Sequence, residues 1–389
     1  MHKKKILIIN KSFEIGGIQM ALANMLKEIH NRYDVTLAVF NCHGPLLDRV
    51  PEDVKLLKIS SMAQVLGMNS EDCKKYGSLS QRIFKTVGSV WSKVFGNTLP
   101  VAFALALQRN VGDYDAVISY HQETSAKTLV SGFGKFALKK CTAAKKIAWV
   151  HADFLATKLA TRKNLKTYKK FDKIVGVSKT TINNFITAYP ELKNNCDYCY
   201  NCVPAREITE KSNLEHNVFN KSENDTVLFS ACRLVKEKGL VPALENLLSV
   251  FKENKNLKWY IAGTGPEGEK LEELIAEKHL EDQVFLIGFK NNPYPYIREA
   301  DYLFLPSLHE TFSMVVSEAH ILGTSVIASD IPIMREVLNE NDFLCADSSY
   351  ALCNFFNDNK KNIKHNIINT YSPQWLNMFE NIVGETIET

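Results

Sequence analysis

Glu310 and Glu318 stand eight positions apart in the run HETFSMVVSEA, on either side of a Ser-containing loop that opens into the apolar run VVSEAHILG. The strand-like segment ADYLFLPS (Ala300–Ser307) lies upstream, and the apolar segment TSVIAS (Thr324–Ser329) lies downstream. Strand, loop, helix and strand in that order predict a βα unit of a parallel sheet. Ligands of such units bind at the carboxyl ends of strands, where a helix N-terminus offers unpaired amides to phosphate. The spacing places Glu310 at the end of the strand and Glu318 on the second turn of the helix.

This arrangement resembles the Glu-x7-Glu signature of retaining glycosyltransferases of the GT-B fold, and most of all family 4 (glycosyl transferases group 1) of the polysaccharide-assembling type. The resemblance extends along the chain. FSACRLVKEKGL (Phe229–Leu240) is similar to the family's Arg…Lys segment, with Arg233 and Lys238 five apart after a strand. IAGTGPEGEKL (Ile261–Leu271) and FLIGF (Phe285–Phe289) follow, and ILIINKSFEIGGIQMAL (Ile6–Leu22) is similar to the family's glycine pair after its first strand. WVHADF (Trp149–Phe154) and VGVS (Val175–Ser178) stand where the family has a His loop and a late strand. The fold implied is α/β, with two facing Rossmann-like parallel-sheet domains and a cleft between them.

The resemblance implies a hexosyltransferase that cleaves the bond between a sugar and a nucleoside diphosphate. Negative charge then builds on the leaving phosphate and must be neutralised as the bond breaks. Arg233 and Lys238 are the candidate cations. The amides of Phe312, Ser313, Met314 and Val315, at a helix N-terminus, add a second set of donors. Gly16 and Gly17 permit close backbone approach to the same phosphates. By resemblance, Glu318 accepts hydrogen bonds from the ribose hydroxyls, and Glu310 contacts the transferred sugar and supports charge at its anomeric carbon. His151 would touch that sugar, with His121 in ISYHQET as a competitor, because both follow strands. Gly263, Gly265, Ile287 and Phe289 fall in the vicinity of the nucleobase. Where the family often has Gly after the first Glu, this chain has Thr311, which implies a different loop path, because Thr reaches glycine's dihedral range only at a cost. No metal or cofactor is expected, since side-chain cations take a metal's role. A UDP-sugar is the expected donor, and a glycan or lipid-linked acceptor of cell-surface synthesis the expected partner.

The elements that must position these residues are legible as apolar runs. KILIIN, YDVTLAVF, YDAVISY, KKIAWV and KIVGVS precede TVLFSA, LKWYIA, QVFLIG, YLFLPS and SVIAS. None has a clean period-two polar face, as befits strands buried on both sides. The polar, aperiodic Asn201–Asp225 segment marks a boundary. The expected division is an N-terminal acceptor domain over 1–205, a donor domain over 206–371, and a C-terminal helix over 372–389 that crosses back to the first domain. A chain of 389 residues supports two cores.

Hydrophobic residues at 45% and charged ones at 23% fit a soluble globular protein, and the cytoplasm is the default compartment. No apolar run reaches the roughly 18–20 residues that cross a bilayer; LPVAFALAL (Leu99–Leu107) is about half that. MHKKKILIIN reads as a buried first strand rather than a signal peptide. Charge is uneven: residues 1–200 hold 30 Lys+Arg against 15 Asp+Glu, and the remainder 17 against 28. The basic half suits an anionic membrane surface at the inner face of the cell membrane. Nucleic acid is not expected, for lack of an aromatic stacking pattern. SQRIFKTVGSVWSKVF (Ser80–Phe95) reads as a basic amphipathic helix, able to lie in a membrane interface or to pack its apolar face on its own domain.

Other motifs point elsewhere. Cys196, Cys199 and Cys202 have a regular three-residue spacing suggestive of cluster ligands, but no fourth ligand is near and reduced thiols are the natural reading. GTGPEG (Gly263–Gly268) is a literal dinucleotide fingerprint, yet it lacks the acidic ribose ligand about 20 residues on. Asp113-x-Asp115 has the form of a metal-holding pair but precedes a strand rather than ending one. A non-catalytic nucleotide-sugar-binding subunit is the alternative from another class. Against it, Arg233, Lys238, Glu310 and Glu318 are all present.

Overall fold

The computed structural model describes residues 3–345 and 371–384. It forms two compact units, one of Met1–Cys202 with Pro373–Thr389 and one of Val203–Ser372. Residues 346–370 of the expected donor domain and 385–389 of the expected C-terminal helix lie outside the described residues.

The first unit is built on β1 (Lys5–Ser12), β2 (Asp34–Asn41), β3 (Lys55–Leu57), β4 (Asp113–Ser119), β5 (Thr142–Val150), β6 (Lys173–Gly176) and β7 (Cys196–Tyr198). They form one parallel sheet in the order β3-β2-β1-β4-β5-β6-β7. The second unit uses β8 (Thr226–Ala231), β9 (Leu257–Ala262), β10 (Val284–Gly288), β11 (Tyr302–Leu305), β12 (Ser325–Ser329) and β13 (Phe343–Cys345). Its sheet is also parallel, in the order β10-β9-β8-β11-β12-β13. Each sheet reverses direction between its first and fourth strands, and such switch points open a crevice at the strands' carboxyl ends. β1 and β4 flank the switch in the first unit, β8 and β11 in the second.

All ten apolar runs form strands, because helices cover both faces and every side chain must be apolar; Ile6 to Ile9 are wholly buried. The two strands absent from the sequence reading, β3 and β13, are three-residue sheet edges, as is β7, whose CDYCYNC segment is similar to the family's strand into its interdomain linker. KLL and FLC are too short to register as runs. The first core gathers Leu7, Phe40, Phe136, Val150 and Phe185, and the second Leu244, Trp259, Leu271, Phe304 and Ile327. The Tyr371–Val383 helix completes the first unit, with Phe379 edge-on to Tyr33 and against Trp149. Lys145 Nζ donates to the Ile382 carbonyl beside it.

The Leu79–Phe95 helix is oriented contrary to an ordinary surface helix. It buries Gln81, Lys85, Gly88 and Ser92 and exposes Leu79, Ile83, Val87, Val94 and Phe95. The reading in which its apolar face packs on its own domain is therefore corrected. The inward polar groups are satisfied: Gln81 Nε2 donates to the Ser61 carbonyl, Lys85 Nζ to that of Met68 and Ser92 Oγ to that of Gly88. No described helix is long and apolar enough to cross a membrane.

Candidate functional site

In the second unit the loop after β8 is held by backbone packing. A Cβ at Gly263 would lie 1.8 Å from the Cys232 carbonyl oxygen, and one at Gly265 would lie 2.3 Å from that of Leu234. Gly239, at φ +65°, would place a Cβ 2.1 Å from the Pro306 oxygen. These three glycines wedge the 232–239 loop against its neighbours and fix the backbone that carries Arg233 and Lys238. Two glycines of the GTGPEG run thus face the chain's own carbonyls, which answers the dinucleotide reading: their bareness serves loop packing.

Lys238 Nζ meets Glu310 Oε1 at 2.5 Å, and Ser307 Oγ donates to the same oxygen at 3.0 Å. The residue after β8 and the residue after β11 are therefore paired across the switch point. Arg233 is exposed, with no ion pair among the described residues. Cys232 lies in the same field, its thiol pushed up to about 11, mainly by burial.

The helix Met314–Leu322 begins beside this pair. Its N-cap, Ser313, sits at φ 59°, ψ 79°, in the left-handed region that costs a residue with a side chain about 1–2 kcal/mol. Thr311 is not among the residues with positive φ, and the left-handed position of this loop falls at Ser313. Ser313 Oγ is buried, bonds no partner and caps no amide, and Val316 N–H already donates to the Ser313 carbonyl. The amides of Met314 and Val315 remain free of intrahelical partners, as at every helix start. A strained N-cap with an unused hydroxyl, ahead of open amides, is a receptor for anionic oxygen. The buried Phe312 ring braces the turn.

Glu318, one turn into the helix, is partly buried with no hydrogen-bond partner among the described residues. Burial alone raises its carboxyl from 4.5 to about 7. A carboxyl kept in low-dielectric surroundings without a partner is poised to accept from ligand hydroxyls. The helix that carries it is anchored from behind by His320, whose Nε2 lies 2.7 Å from Asp342 Oδ2. At the other side of the sheet, β10 leaves Ile287 half-buried and Phe289 exposed.

In the first unit, Gly16 and Gly17 open the Gly17–Ile29 helix after β1; a Cβ at Gly17 would meet nothing within 4 Å, so this backbone is open to approach. His151 directly follows β5. Its Nε2 faces the Tyr120 carbonyl at 2.9 Å, and burial holds the ring at about 3, so the imidazole is neutral across physiological pH. His121 follows β4 with Nδ1 on the Gln122 carbonyl and is likewise held at about 4 by burial. His121 is close enough to depress the protonation of His151. Both present a neutral ring with one free lone pair, suited to accepting from a hydroxyl and unsuited to an imidazolium's proton donation. Beside them, Asn10 Oδ1, Ser12 Oγ and Gln122 Oε1 are buried without partners. The sequence reading missed these three. The signal for Asn10 and Ser12 is the polar NKS that ends an otherwise apolar strand, and that for Gln122 is its place next to His121 after β4.

The remaining motifs resolve structurally. Asp113 and Asp115 open β4 at its amino end, and Asp115 Oδ2 accepts from Lys5 N–H at 2.7 Å. Cys199 and Cys202 are buried thiols raised well above their usual range by desolvation, and no group of three His, Cys, Asp or Glu able to hold a metal occurs among the described residues.

Residues 211–353 match the family model described as Glycosyl transferases group 1. The matched stretch falls within the second unit, Val203–Ser372. Among curated proteins the chain is similar to the O-antigen biosynthesis glycosyltransferase WclY of Escherichia coli, 29% identical over 171 residues, 44% of this chain and 46% of that protein. It is also 30% identical over 178 residues to the N-acetylgalactosamine-N,N'-diacetylbacillosaminyl-diphospho-undecaprenol 4-alpha-N-acetylgalactosaminyltransferase of Campylobacter jejuni, covering 45% and 46% of the two chains. The chain thus spans about half the length of the curated relatives it matches. The crystal structure of Anabaena Alr3699/HepE in complex with UDP-glucose superposes over 97% of this chain and 98% of that one, with TM-score 0.66 and 17% identity. TarM superposes over 98% and 99%, with TM-score 0.63 and 14% identity. The fold is that of GT-B glycosyltransferases.

Proposed function

We propose that this chain is a retaining hexosyltransferase of family 4, moving a sugar from a UDP-sugar to a lipid-linked or polysaccharide acceptor in bacterial cell-surface glycan synthesis. The observation that carries the reading is the cluster at the β8/β11 switch point. There Lys238, on the same loop as Arg233, pairs with Glu310 a few residues before the uncapped helix start at Ser313, and an unpartnered Glu318 follows a turn into the helix. The resemblance of the matched segment to glycan-assembling transferases supports the substrate class.

Cations and amides converge where a diphosphate would sit, and a carboxyl waits where a ribose would donate. As the bond between the anomeric carbon and the diphosphate oxygen breaks, its electron pair passes to the diphosphate, which Arg233, Lys238 and the Met314–Val315 amides stabilise. The acceptor hydroxyl oxygen bonds to the same face of the anomeric carbon, and its proton passes to the departing phosphate oxygen. Glu310, relieved of Lys238 when that cation turns to phosphate, faces the developing positive charge. Side-chain cations suffice for this, and we propose transfer without a metal ion. Gly16, Gly17 and His151 stand at the strand ends where the first unit would receive its ligand. The enzyme would act in the cytoplasm, at the inner face of the cell membrane.

A thermal-shift panel of UDP, GDP, ADP, CMP and NAD, with and without Mg²⁺, tests this. A ligand at about 100 times its Kd adds roughly 2.7 kcal/mol of stability. A metal-independent shift with UDP, followed by UDP-sugar hydrolysis without acceptor, is expected. A shift without hydrolysis or transfer would make the chain a non-catalytic binder. A shift with NAD alone would overturn the reading.

A further inference from the structure

The first unit carries an apolar surface that its own fold does not account for. Ten of the eighteen exposed large hydrophobic side chains among the described residues fall between Leu79 and Leu107. On the Leu79–Phe95 helix they recur at positions 79, 83, 87, 90, 91, 94 and 95, a single helical face. Phe95 and Val94 are 71% and 67% exposed. The following Thr98–Ala106 helix continues the surface with Leu99 and Phe103, whose ring lies 5.6 Å from that of Phe84. The opposite face of the first helix is polar, buried and hydrogen-bonded inward. The helix is thus locked apolar side out, which water alone disfavours, and monomeric proteins rarely expose contiguous apolar patches of this kind.

Directly beside this surface lies a concavity of about 820 Å³. Lys135, Lys139, Arg162, Lys163, Lys166 and Lys170 line it together with Thr98, and no carboxylate does so. The two features are joined: Lys163 Nζ donates to Asn97 Oδ1, and only Gly96, Asn97 and Thr98 separate Phe95 from Leu99. Glu123, buried beneath, offsets part of the charge on Lys135 and Lys163. Burial first, and Lys135 next, pull Lys163 down to about 8, a sign of how crowded the cations are.

We propose that the apolar face of residues 79–107 and the adjoining basic concavity are one docking surface for an anionic phospholipid membrane. The aliphatic and aromatic side chains enter the interface, and the lysines take the phosphate headgroups. Charge complementarity selects this occupant. A second copy meeting the same patch across a two-fold axis would set one basic rim against another. A neutral apolar partner would leave the cations unused. The proposal deepens the lipid-linked acceptor reading and rests on it for its purpose, while the docking itself is independent of catalysis.

The test is co-sedimentation of the full chain with vesicles of phosphatidylcholine alone and of phosphatidylcholine with phosphatidylglycerol. Binding to the anionic vesicles alone, weakened by salt, is expected. Val87→Glu with Val94→Glu should abolish it. Lys139→Gln, Lys166→Gln and Lys170→Gln should each weaken partitioning about fivefold. All five side chains are exposed, so melting temperatures should hold; the Lys→Gln set leaves both apolar helices untouched and serves as a second probe. Equal binding to both vesicles, or none, overturns the proposal. So does a dimer that Val87→Glu with Val94→Glu dissociates, or capture of inorganic phosphate at the lysines without vesicle binding. A UDP thermal shift on the same variants separates the two readings: a retained shift with no vesicle binding sinks the docking surface alone.

Discussion

Replacing Glu318 by Gln should stabilise the empty protein and weaken nucleotide binding. The carboxyl holds its proton to about 7 in the fold, against 4.5 in the unfolded chain, because burial disfavours the charge. Below 4.5 both states are protonated and the group contributes nothing. Between 4.5 and 7 the unfolded chain releases the proton while the fold keeps it, so stability falls as pH rises, and above 7 the full cost is present. At about 1.4 kcal/mol per tenfold, that cost has a ceiling of about 3.5 kcal/mol. The side chain is only partly buried, and discounting for solvent screening leaves about 1–2 kcal/mol. Urea unfolding of both proteins across this pH range should show Glu318→Gln more stable by that amount above pH 7 and equal near pH 4.5. With UDP the order reverses: ribose hydroxyls donate more strongly to the carboxylate than to the neutral acid, so wild-type affinity should rise by up to about tenfold from pH 6 to pH 8. The Gln variant, carrying the same UDP titration, should lack that component. Stability curves that run parallel at every pH would refute the burial argument.

Three further outcomes follow from the geometry. Lys238→Met leaves Glu310 without its cation and should cost stability about 1–3 kcal/mol, and it should lower the rate of transfer about 10²–10³-fold, read by steady-state kinetics. Ser313→Gly relieves the left-handed N-cap and should add about 1 kcal/mol in denaturant unfolding, while loss of its free hydroxyl weakens UDP binding in titration calorimetry. His151→Ala should lower turnover, while the wild-type rate shows no inflection between pH 5 and 8 traceable to this ring, since it ionises near 3. A wild-type inflection near 6.5 that His151→Ala abolishes would contradict its burial.

The sheets were readable because strands covered on both faces admit only apolar side chains, as in ILII and YLFL. Two edges were not: KLL at β3 and FLC at β13 make three-residue ladders whose existence depends on a neighbouring strand. At the site, the cations and carboxylates were legible from their place after strands. The Lys238–Glu310 pairing and the strain at Ser313 were not, because they arise from how two loops 72 residues apart approach each other. The Leu79–Phe95 segment shows the limit most clearly. Its period reveals two faces, but which one turns inward depends on whether Ser61, Met68 and Leu129 offer it carbonyls or close contact.

The first unit is discontinuous along the chain, and that has a consequence for biosynthesis. Trp149 and Tyr33 are covered by Phe379, which the ribosome adds only after the whole of Val203–Ser372 has been made. The second unit has every one of its strands before that point and can fold while translation continues. The half that emerges first is therefore the half that finishes last. Until the Tyr371–Val383 helix arrives, the nascent chain holds an open aromatic seam, so a nonsense codon or a slow stretch just upstream of it would expose the protein to chaperones and proteases.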